Sequence, residues 1–143
     1  MFNKTILNNG LRVITAPMQG TNTVTVLVLC GTGSDFESRE IGGISHFLEH
    51  MFFKGTKRRP TPDTIKHELD GIGSVSNAFT SHEVTGYHIK AAKTYLDQSL
   101  DLLADIYKNS TLPAEEIERE RQVIIEEMHK DRDTPTLSIW WVW

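Results

Sequence analysis

The order in which strand-like and helical patterns follow one another constrains the fold of this chain more than any other feature. Two short strand-like runs, Thr5 to Leu7 and Leu11 to Ala16, flank the sequence Asn8-Asn9-Gly10, and an Asn-Gly pair readily adopts the positive φ that a tight hairpin turn requires. A run of β-branched and apolar residues follows from Val24 to Cys30, and we expect a strand covered on both faces. The chain therefore begins as β-sheet.

Four segments with a helical repeat of apolar residues make up most of the remaining chain. Two strand-like segments lie between the second and the third of these, and their alternation of apolar and polar residues predicts strands with one solvated face. Strands and helices do not alternate one by one, which favours a mixed α+β layer over a doubly wound parallel sheet. The predicted helices are Ile44 to Phe53, Thr61 to Gly71, Lys93 to Lys108 and Pro113 to about Lys130, and the predicted strands are Val75 to Phe79 and Val84 to Ile89.

Length and composition place the chain among soluble globular proteins. A chain of 143 residues is long enough for about one domain. Its apolar and charged fractions, 38% and 24%, argue against disorder and against a fibrous protein. The net charge is −4 and the basic residues are scattered, apart from the run Lys54 to Arg59, which we expect on a surface loop. We therefore expect no nucleic acid as a partner.

The sequence has no feature typical of a membrane or secreted protein. It contains no run of 18 or more apolar residues, so we expect no membrane as a partner. Residues 1–5 lead into a strand-like pattern rather than into the apolar core of a signal peptide, and a single cysteine, Cys30, excludes an intrachain disulfide. We expect a cytoplasmic protein in which Cys30 is a small buried side chain.

The first predicted helix carries the pattern His46-Phe47-Leu48-Glu49-His50. At about 100° per residue the two imidazoles are about 40° apart around the helix axis, so both can reach one metal ion. Glu49 lies about 60° from His46 on the other side, where its carboxylate can reach a water beside the metal. Two imidazoles and a carboxylate suit catalytic zinc, because a fourth position stays open for water, and a third protein ligand must therefore come from elsewhere.

A simpler interpretation of the same residues is that His46 and His50 are neighbours on a helix without a metal, with Glu49 as a surface acid. The apolar residues around the motif do not decide between the two, because we expect them to form core rather than a substrate pocket. These apolar residues are Phe47, Leu48, Met51, Phe52 and Phe53.

The fourth predicted helix offers carboxylates for the third ligand position. Glu120 and Glu127 are seven residues apart and so lie on one face of the helix. Glu126 points about 100° away from Glu127 and is its rival for the ligand position. The acidic residues at the start of this helix are most simply solvated; they are Glu115, Glu116 and Glu118.

Several motifs together make the chain resemble the pitrilysin or insulinase family of zinc peptidases, also called inverzincins, which includes the mitochondrial processing peptidases. Two of the motifs are the His46–His50 helix and the Glu-x6-Glu helix, in which Glu127 follows His50 by 77 residues. The others are Asn9 to Val13, Gly33 to Glu37, Gly42 to Thr56 and Asn77 to Thr80. The resemblance covers most of the chain and implies a mostly antiparallel sheet with helices packed on one face.

The resemblance also implies a role for each residue of the candidate metal site. It implies one zinc ion (Zn2+) per chain, with His46, His50 and Glu127 as its ligands. The activity that it implies is that of a zinc-dependent endopeptidase, with Glu49 as the general base. Glu120 is implied to be a second catalytic acid, which supports the site and orients water.

By the same resemblance, the substrate is a peptide in extended conformation. The segment Asn77 to Thr80 resembles an edge strand of the family, to which such a peptide adds by main-chain hydrogen bonds beside the zinc. The substrate-binding residues that we carry over are Asn77, Ala78 and Phe79. Without the family, these residues are ordinary polar and apolar strand positions.

We expect residues 1–143 to be a single domain and the N-terminal portion of a longer peptidase, because family members have a further half-domain or a partner subunit that faces the zinc. The apolar segment Leu137 to Trp143 contains three tryptophans and predicts association, for example into a homo-oligomer.

Two alternatives remain for the function. One is a non-catalytic scaffold subunit, and the other is an inactive fragment that binds zinc without cleaving peptides.

Overall fold

The computed structural model describes residues 1–134, and this part of the chain forms five strands and four α-helices. The first two strands, β1 (Asn3–Ile6) and β2 (Arg12–Thr15), pair as an antiparallel hairpin, and Gly10 adopts a φ of 85° in the turn. The elements that follow are β3 (Thr23–Cys30), α1 (Ile44–Met51), α2 (Pro62–Gly71), β4 (Val75–Thr80), β5 (Thr85–Ala92), α3 (Leu96–Asn109) and α4 (Ala114–Asp133). Short 3₁₀ turns lie at Ser34–Phe36, Arg39–Ile41 and Lys93–Tyr95.

The last three strands form a second antiparallel sheet with the order β3-β5-β4. Tyr87 in the central strand β5 lies opposite Val28 in β3 and Ala78 in β4. Within residues 1–134, β4 has β5 as its one neighbour and is therefore an edge strand. Helix α3 packs on β3 and β5, and α1 packs on β4 and on α4. The predicted α+β class, with antiparallel strands and helices on one face of the sheet, is confirmed.

The hydrophobic core lies between the three-stranded sheet and the helices α2 and α3. Its buried side chains alternate along β5, as the period of two in a strand requires, and recur every three or four residues in the helices, as expected for amphipathic elements. The buried cluster consists of Ile65, Leu69, Tyr87, Ile89, Leu102, Leu103 and Ile106. Phe52 and Phe53, which directly follow α1, pack against this cluster and so fix the end of the helix that carries both histidines.

The prediction that the strand from Val24 to Cys30 is covered on both faces is wrong for the described residues. Exposure alternates along β3, and Leu27 and Leu29 are exposed. The apolar run reflects one face that packs on α3 and one face that nothing in residues 1–134 covers. Cys30, expected to be buried, is partly buried, and its thiol donates a hydrogen bond to the Tyr107 hydroxyl at 3.0 Å.

The prediction of a solvated face on the strand from Val84 to Ile89 is also wrong in part. The first three residues of β5, Thr85, Gly86 and Tyr87, are all buried. Gly86 is covered because the ring of Phe79 on the neighbouring strand lies over it, and a Cβ added at Gly86 would lie 2.4 Å from that ring. Because Gly86 has no side chain, the Phe79 ring from β4 can lie over β5. The alternation of apolar and polar residues in the sequence does not indicate this contact.

The basic run from Lys54 to Arg59 does not simply decorate a loop. Arg59 is buried, and its guanidinium pairs with Asp105 at 2.7 Å and with Glu68 at 2.8 Å. Asp105 also accepts a hydrogen bond from the Thr56 hydroxyl at 2.7 Å. Arginine tolerates burial where carboxylates satisfy its planar donors, and these carboxylates lie on α2 and α3, so the run joins two helices to the segment after α1.

The observed bounds of the last two helices differ from the predicted bounds by a few residues. The helix predicted from Lys93 begins as α-helix at Leu96, after a 3₁₀ turn, and the helix predicted from Pro113 begins after that residue and ends at Asp133. No helix among residues 1–134 is both long and apolar enough to cross a membrane. The apolar segment Leu137 to Trp143 lies outside the described residues.

Candidate metal centre

Helix α1 is held at its N-terminus by Glu37, which precedes the helix in the chain. The Glu37 carboxylate accepts hydrogen bonds from the backbone amides of Gly43 at 2.6 Å and Ser45 at 2.8 Å. Hydrogen bonds from Ser45, assisted by the Gly43 amide, lower the pKa of Glu37. A carboxylate at this end also complements the helix dipole. Gly43 adopts a φ of 90°, a left-handed conformation that glycine accepts without strain.

The structure brings His46, His50 and Glu127 together between α1 and α4. The two Nε2 atoms of His46 and His50 lie 3.2 Å apart. The Glu127 carboxylate oxygen Oε2 lies 3.8 Å from the Nε2 of His46 and 3.6 Å from that of His50. One ligand atom from each residue thus lies within 4.8 Å of the others. The two imidazole rings are perpendicular, with their centroids 4.8 Å apart.

This donor set fits zinc. Zinc in proteins is tetrahedral with bonds of about 2.0–2.2 Å to imidazole and carboxylate, so neighbouring ligand atoms lie about 3.3–3.5 Å apart. The three separations, from 3.2 to 3.8 Å, agree with that spacing. His46 and Glu127 have side chains that are 42% and 47% exposed, which leaves the fourth position accessible from solvent. Glu126, the rival for the ligand position, does not belong to this cluster among the described residues.

Glu120 lies on the far side of His50 from the ligand atoms. Its Oε2 is 3.0 Å from the Nδ1 of His50, and its Oε1 pairs with the ammonium of Lys54. Burial by itself would raise the pKa of Glu120, but the hydrogen bonds from Lys54 and His50 outweigh burial and lower it. An ionised Glu120 is an acceptor for a hydrogen bond from the Nδ1–H of His50, and in that tautomer the Nε2 lone pair is free for a metal.

Glu49 does not join the ligand cluster and instead borders a groove of about 300 Å³. The opposite wall of the groove is the edge strand β4, which contributes Ser76, Asn77 and Ala78. His50 and Phe53 complete the lining. Phe53, expected to be core rather than pocket, is both, because it also packs against the buried cluster.

The three candidate substrate-binding residues do not share one face of β4. Asn77 and Ala78 both border the groove, but Ala78 lies on the face that packs against the core and Asn77 on the opposite face. Phe79 shares the face of Asn77, and its ring covers Gly86. The amide of Ala78 donates to the side-chain oxygen of its own neighbour Asn77 at 2.9 Å. That amide therefore points to the free edge of β4 and not toward β5.

Sequence reasoning missed two residues that contact the site, Lys54 and Glu37. Lys54 follows His50 by four residues but lies after the end of α1, so helical spacing does not place it beside Glu120. Glu37 is six residues before Gly43, and nothing in its spacing indicates that its carboxylate caps α1.

Comparison with known proteins gives a consistent result. The family model described as insulinase (peptidase family M16) matches residues 12–138. The chain is 48% identical to a probable mitochondrial-processing peptidase subunit beta of Arabidopsis thaliana over 126 residues, which are 88% of this chain and 24% of that protein. It is 40% identical to the uncharacterized zinc protease YmxG of Bacillus subtilis, over 94% of this chain and 33% of that protein.

A solved structure is similar along nearly the whole chain. The crystal structure of a protease from Helicobacter pylori matches with a TM-score of 0.91 and 35% sequence identity, over 98% of this chain and 34% of that one. The chain thus spans about a quarter to a third of the length of the proteins that it matches. Because the family model covers most of its residues, the chain belongs to the insulinase family, peptidase family M16.

Proposed function

We propose that this chain is the zinc-binding portion of a metal-dependent endopeptidase. The observation that carries the proposal is the convergence of two imidazole nitrogens and the Glu127 carboxylate, with separations from 3.2 to 3.8 Å, beside a groove that Glu49 borders. Membership in a peptidase family supports a peptidase function at the coarser level. Relatives that are named zinc proteases support zinc as the metal, and the cluster of three candidate ligands found among residues 1–134 supports one ion per chain.

In the proposed mechanism, His46, His50 and Glu127 hold the ion, and Glu49 moves the proton. A zinc ion bound there would act as a Lewis acid that lowers the pKa of water and polarises a peptide carbonyl. Glu49 accepts the proton of the attacking water and then delivers it to the leaving amine, which general acid–base catalysis requires of one group near both atoms. Glu120 keeps His50 in the tautomer whose Nε2 is unprotonated.

The substrate in this proposal is a peptide bound in extended conformation along β4. The outward amide of Ala78 and the groove between β4 and Glu49 support this placement. An added strand takes its affinity from main-chain hydrogen bonds and its specificity from alternate side chains, so Asn77 and Ala78 would contact substrate directly. Phe79, on the same face as Asn77, would act by holding the strand against β5.

Residues beyond this chain complete the proposed enzyme. The relatives are three to four times as long as the segment that matches, and the beta subunit of processing peptidase is by its name one subunit of an assembly. We propose that a second half-domain or a partner subunit faces the groove and fixes the peptide opposite Glu49. Residues 1–143 are then one domain of the longer enzyme. Its cytoplasmic location stays a prediction.

Metal content and peptide cleavage, measured together on the longer enzyme that contains residues 1–143, test this function. We expect about one zinc per chain at neutral pH, loss of that zinc on His50→Ala, and retention of it on His67→Ala, which changes an exposed histidine on α2. A fluorogenic peptide should be cleaved in a manner that a chelator abolishes. Zinc without cleavage would favour a scaffold subunit or an inactive fragment, and a full equivalent of metal in His50→Ala would refute the ligand assignment.

A further inference from the structure

Lys54 lies directly behind the candidate metal centre, in the turn that follows α1. Its ammonium pairs with the Oε1 of Glu120, and its side chain is 22% exposed. Its backbone amide donates to the carbonyl of Met51, the last residue of α1, at 3.1 Å. Lys54 is therefore tied to the histidine helix through its backbone and to α4 through its side chain.

The two oxygens of the Glu120 carboxylate are divided between two partners. Oε1 contacts Lys54, and Oε2 contacts the Nδ1 of His50 at 3.0 Å. The Glu120 side chain is 6% exposed, so water does not satisfy the oxygen that Lys54 holds. A buried carboxylate without a counter-charge is costly, and its side chain then turns toward solvent where it can.

We propose that Lys54 is a positioning residue for the metal centre, which acts by holding Glu120 so that Oε2 faces His50. This inference rests on the proposed zinc site and adds a residue to it. Without Lys54, Glu120 turns away, and the imidazole of His50 loses the acceptor that fixes its ring and its tautomer. Removal of such an outer partner of a ligating histidine typically lowers metal affinity by about 10–100-fold.

Repulsion between the Lys54 ammonium and a zinc ion predicts the opposite change in zinc affinity, so the two explanations can be distinguished by experiment. If Lys54 acted only as a positive charge near a Zn²⁺ ion, its removal would raise zinc affinity, because like charges repel at short range. If it acted only in folding, its removal would lower the stability of the metal-free protein and leave zinc affinity unchanged. The sign of the change in affinity therefore separates positioning from both alternatives.

The experiment measures zinc affinity by competition with a chelating dye, and the thermal midpoint of the metal-free protein, on the 143-residue chain and five variants. Lys54→Met keeps most of the apolar stem and removes the charge, Lys54→Arg keeps the charge, and Lys57→Met is the matched control at an exposed lysine. Glu120→Gln, alone and combined with Lys54→Met, forms a double-mutant cycle.

We expect Lys54→Met to weaken zinc binding by about 10-fold or more, Lys54→Arg to restore most of it, and Lys57→Met to have no effect. In the Glu120→Gln background, Lys54→Met should have little further effect, because the group that it positions is already absent. Unchanged or tighter zinc binding in Lys54→Met, or an equal loss in both backgrounds, would overturn the inference while leaving the zinc site intact. A wild-type chain that binds no zinc would instead overturn the proposed function and the inference with it.

Discussion

At the scale of single residues, the side chains proposed to bind the metal are different from the side chain proposed to transfer the proton. His46, His50 and Glu127 present ligand atoms to one position, whereas Glu49 borders the groove beside it. Glu120 contacts the ring nitrogen of His50 that faces away from that position. Substitutions should therefore separate metal binding from proton transfer.

Glu49→Gln should keep the zinc and remove nearly all peptide cleavage in the longer enzyme that contains this chain. The amide cannot accept a proton from water, and general-base assistance is typically worth about 10²–10⁴-fold in rate. Zinc content and cleavage of a fluorogenic peptide measure the two effects separately. Glu118→Gln, at an exposed position on α4, is the control and should change neither quantity. Loss of zinc in Glu49→Gln would identify Glu49 as a ligand instead.

Glu127→Gln should weaken zinc binding far more than Glu126→Gln. The carboxylate of Glu127 lies within 3.8 Å of both Nε2 atoms, and an amide oxygen is a much poorer zinc ligand than a carboxylate. Glu126 is adjacent in sequence and carries the same charge, so it controls for the loss of a negative charge near the site. Competition with a chelating dye gives both affinities, and the reverse order would assign the ligand position to Glu126.

At the scale of elements, a buried ion-pair network connects the segment after α1 to α2 and α3. The Asp105 side chain is fully buried, and burial alone would raise the pKa of its carboxyl. Hydrogen bonds from Asn109, from Thr56 and from the guanidinium groups of Arg58 and Arg59 outweigh burial and hold that pKa well below its usual value. A carboxyl with a lowered folded-state pKa stabilises the fold above its unfolded pKa and loses this effect as the pH falls.

The network therefore predicts sensitivity to acid. The contribution of Asp105 should be complete above about pH 4, near the pKa of an unfolded aspartate, and decline at lower pH. Asp105→Asn should lower the free energy of unfolding by about 1–3 kcal/mol at neutral pH, because the buried Arg59 loses one charged partner while Glu68 and Asp101 remain. Its stability should also fall less steeply than that of the wild type between about pH 4 and pH 2. Urea unfolding across this range measures both effects, and parallel curves for the two proteins would contradict the assignment.

The contact between Phe79 and Gly86 predicts a second effect at the scale of elements. Gly86→Ala places a Cβ 2.4 Å from the Phe79 ring, so the ring must leave its position on β5. Overpacking in a close-packed core costs about 1–3 kcal/mol, and the cost here should lie at the low end of that range because the Phe79 ring is exposed and can turn toward solvent. Gly71→Ala, at the end of α2, is the control, because a Cβ there meets nothing within 4 Å. Thermal unfolding measures both variants, and equal effects would show that the ring does not pack as described.

The sequence predicts the parts of this site that depend on local spacing. His46, Glu49 and His50 follow from the period of one helix, and the pairing of Glu120 with Glu127 follows from seven residues in another. It does not predict the burial of Arg59, whose partner Asp105 is 46 residues away, or the pairing of Lys54 with Glu120. A charged side chain is buried only where the fold supplies its counter-charge, so its burial depends on tertiary placement that local pattern does not contain.

At the scale of the whole molecule, one side of the three-stranded sheet is uncovered within residues 1–134. Leu27, Leu29, Val75 and Phe79 are all exposed there. The chain also matches only 24% to 34% of the length of its relatives. An uncovered apolar face of this kind is typical of a surface that contacts another segment or another protein.

The last prediction concerns the 143-residue chain tested by itself. We expect it to bind zinc, since the described residues include all three candidate ligands, but to cleave peptides poorly. Precise positioning of the reacting groups is worth up to about 7–11 kcal/mol of the barrier, and one wall of the groove cannot supply it alone. Addition of the remaining part of a family member, as a separate polypeptide, should raise the cleavage rate without changing zinc affinity. Cleavage by the short chain alone at the rate of a full-length relative, abolished by a chelator, would show that these residues already form a complete enzyme.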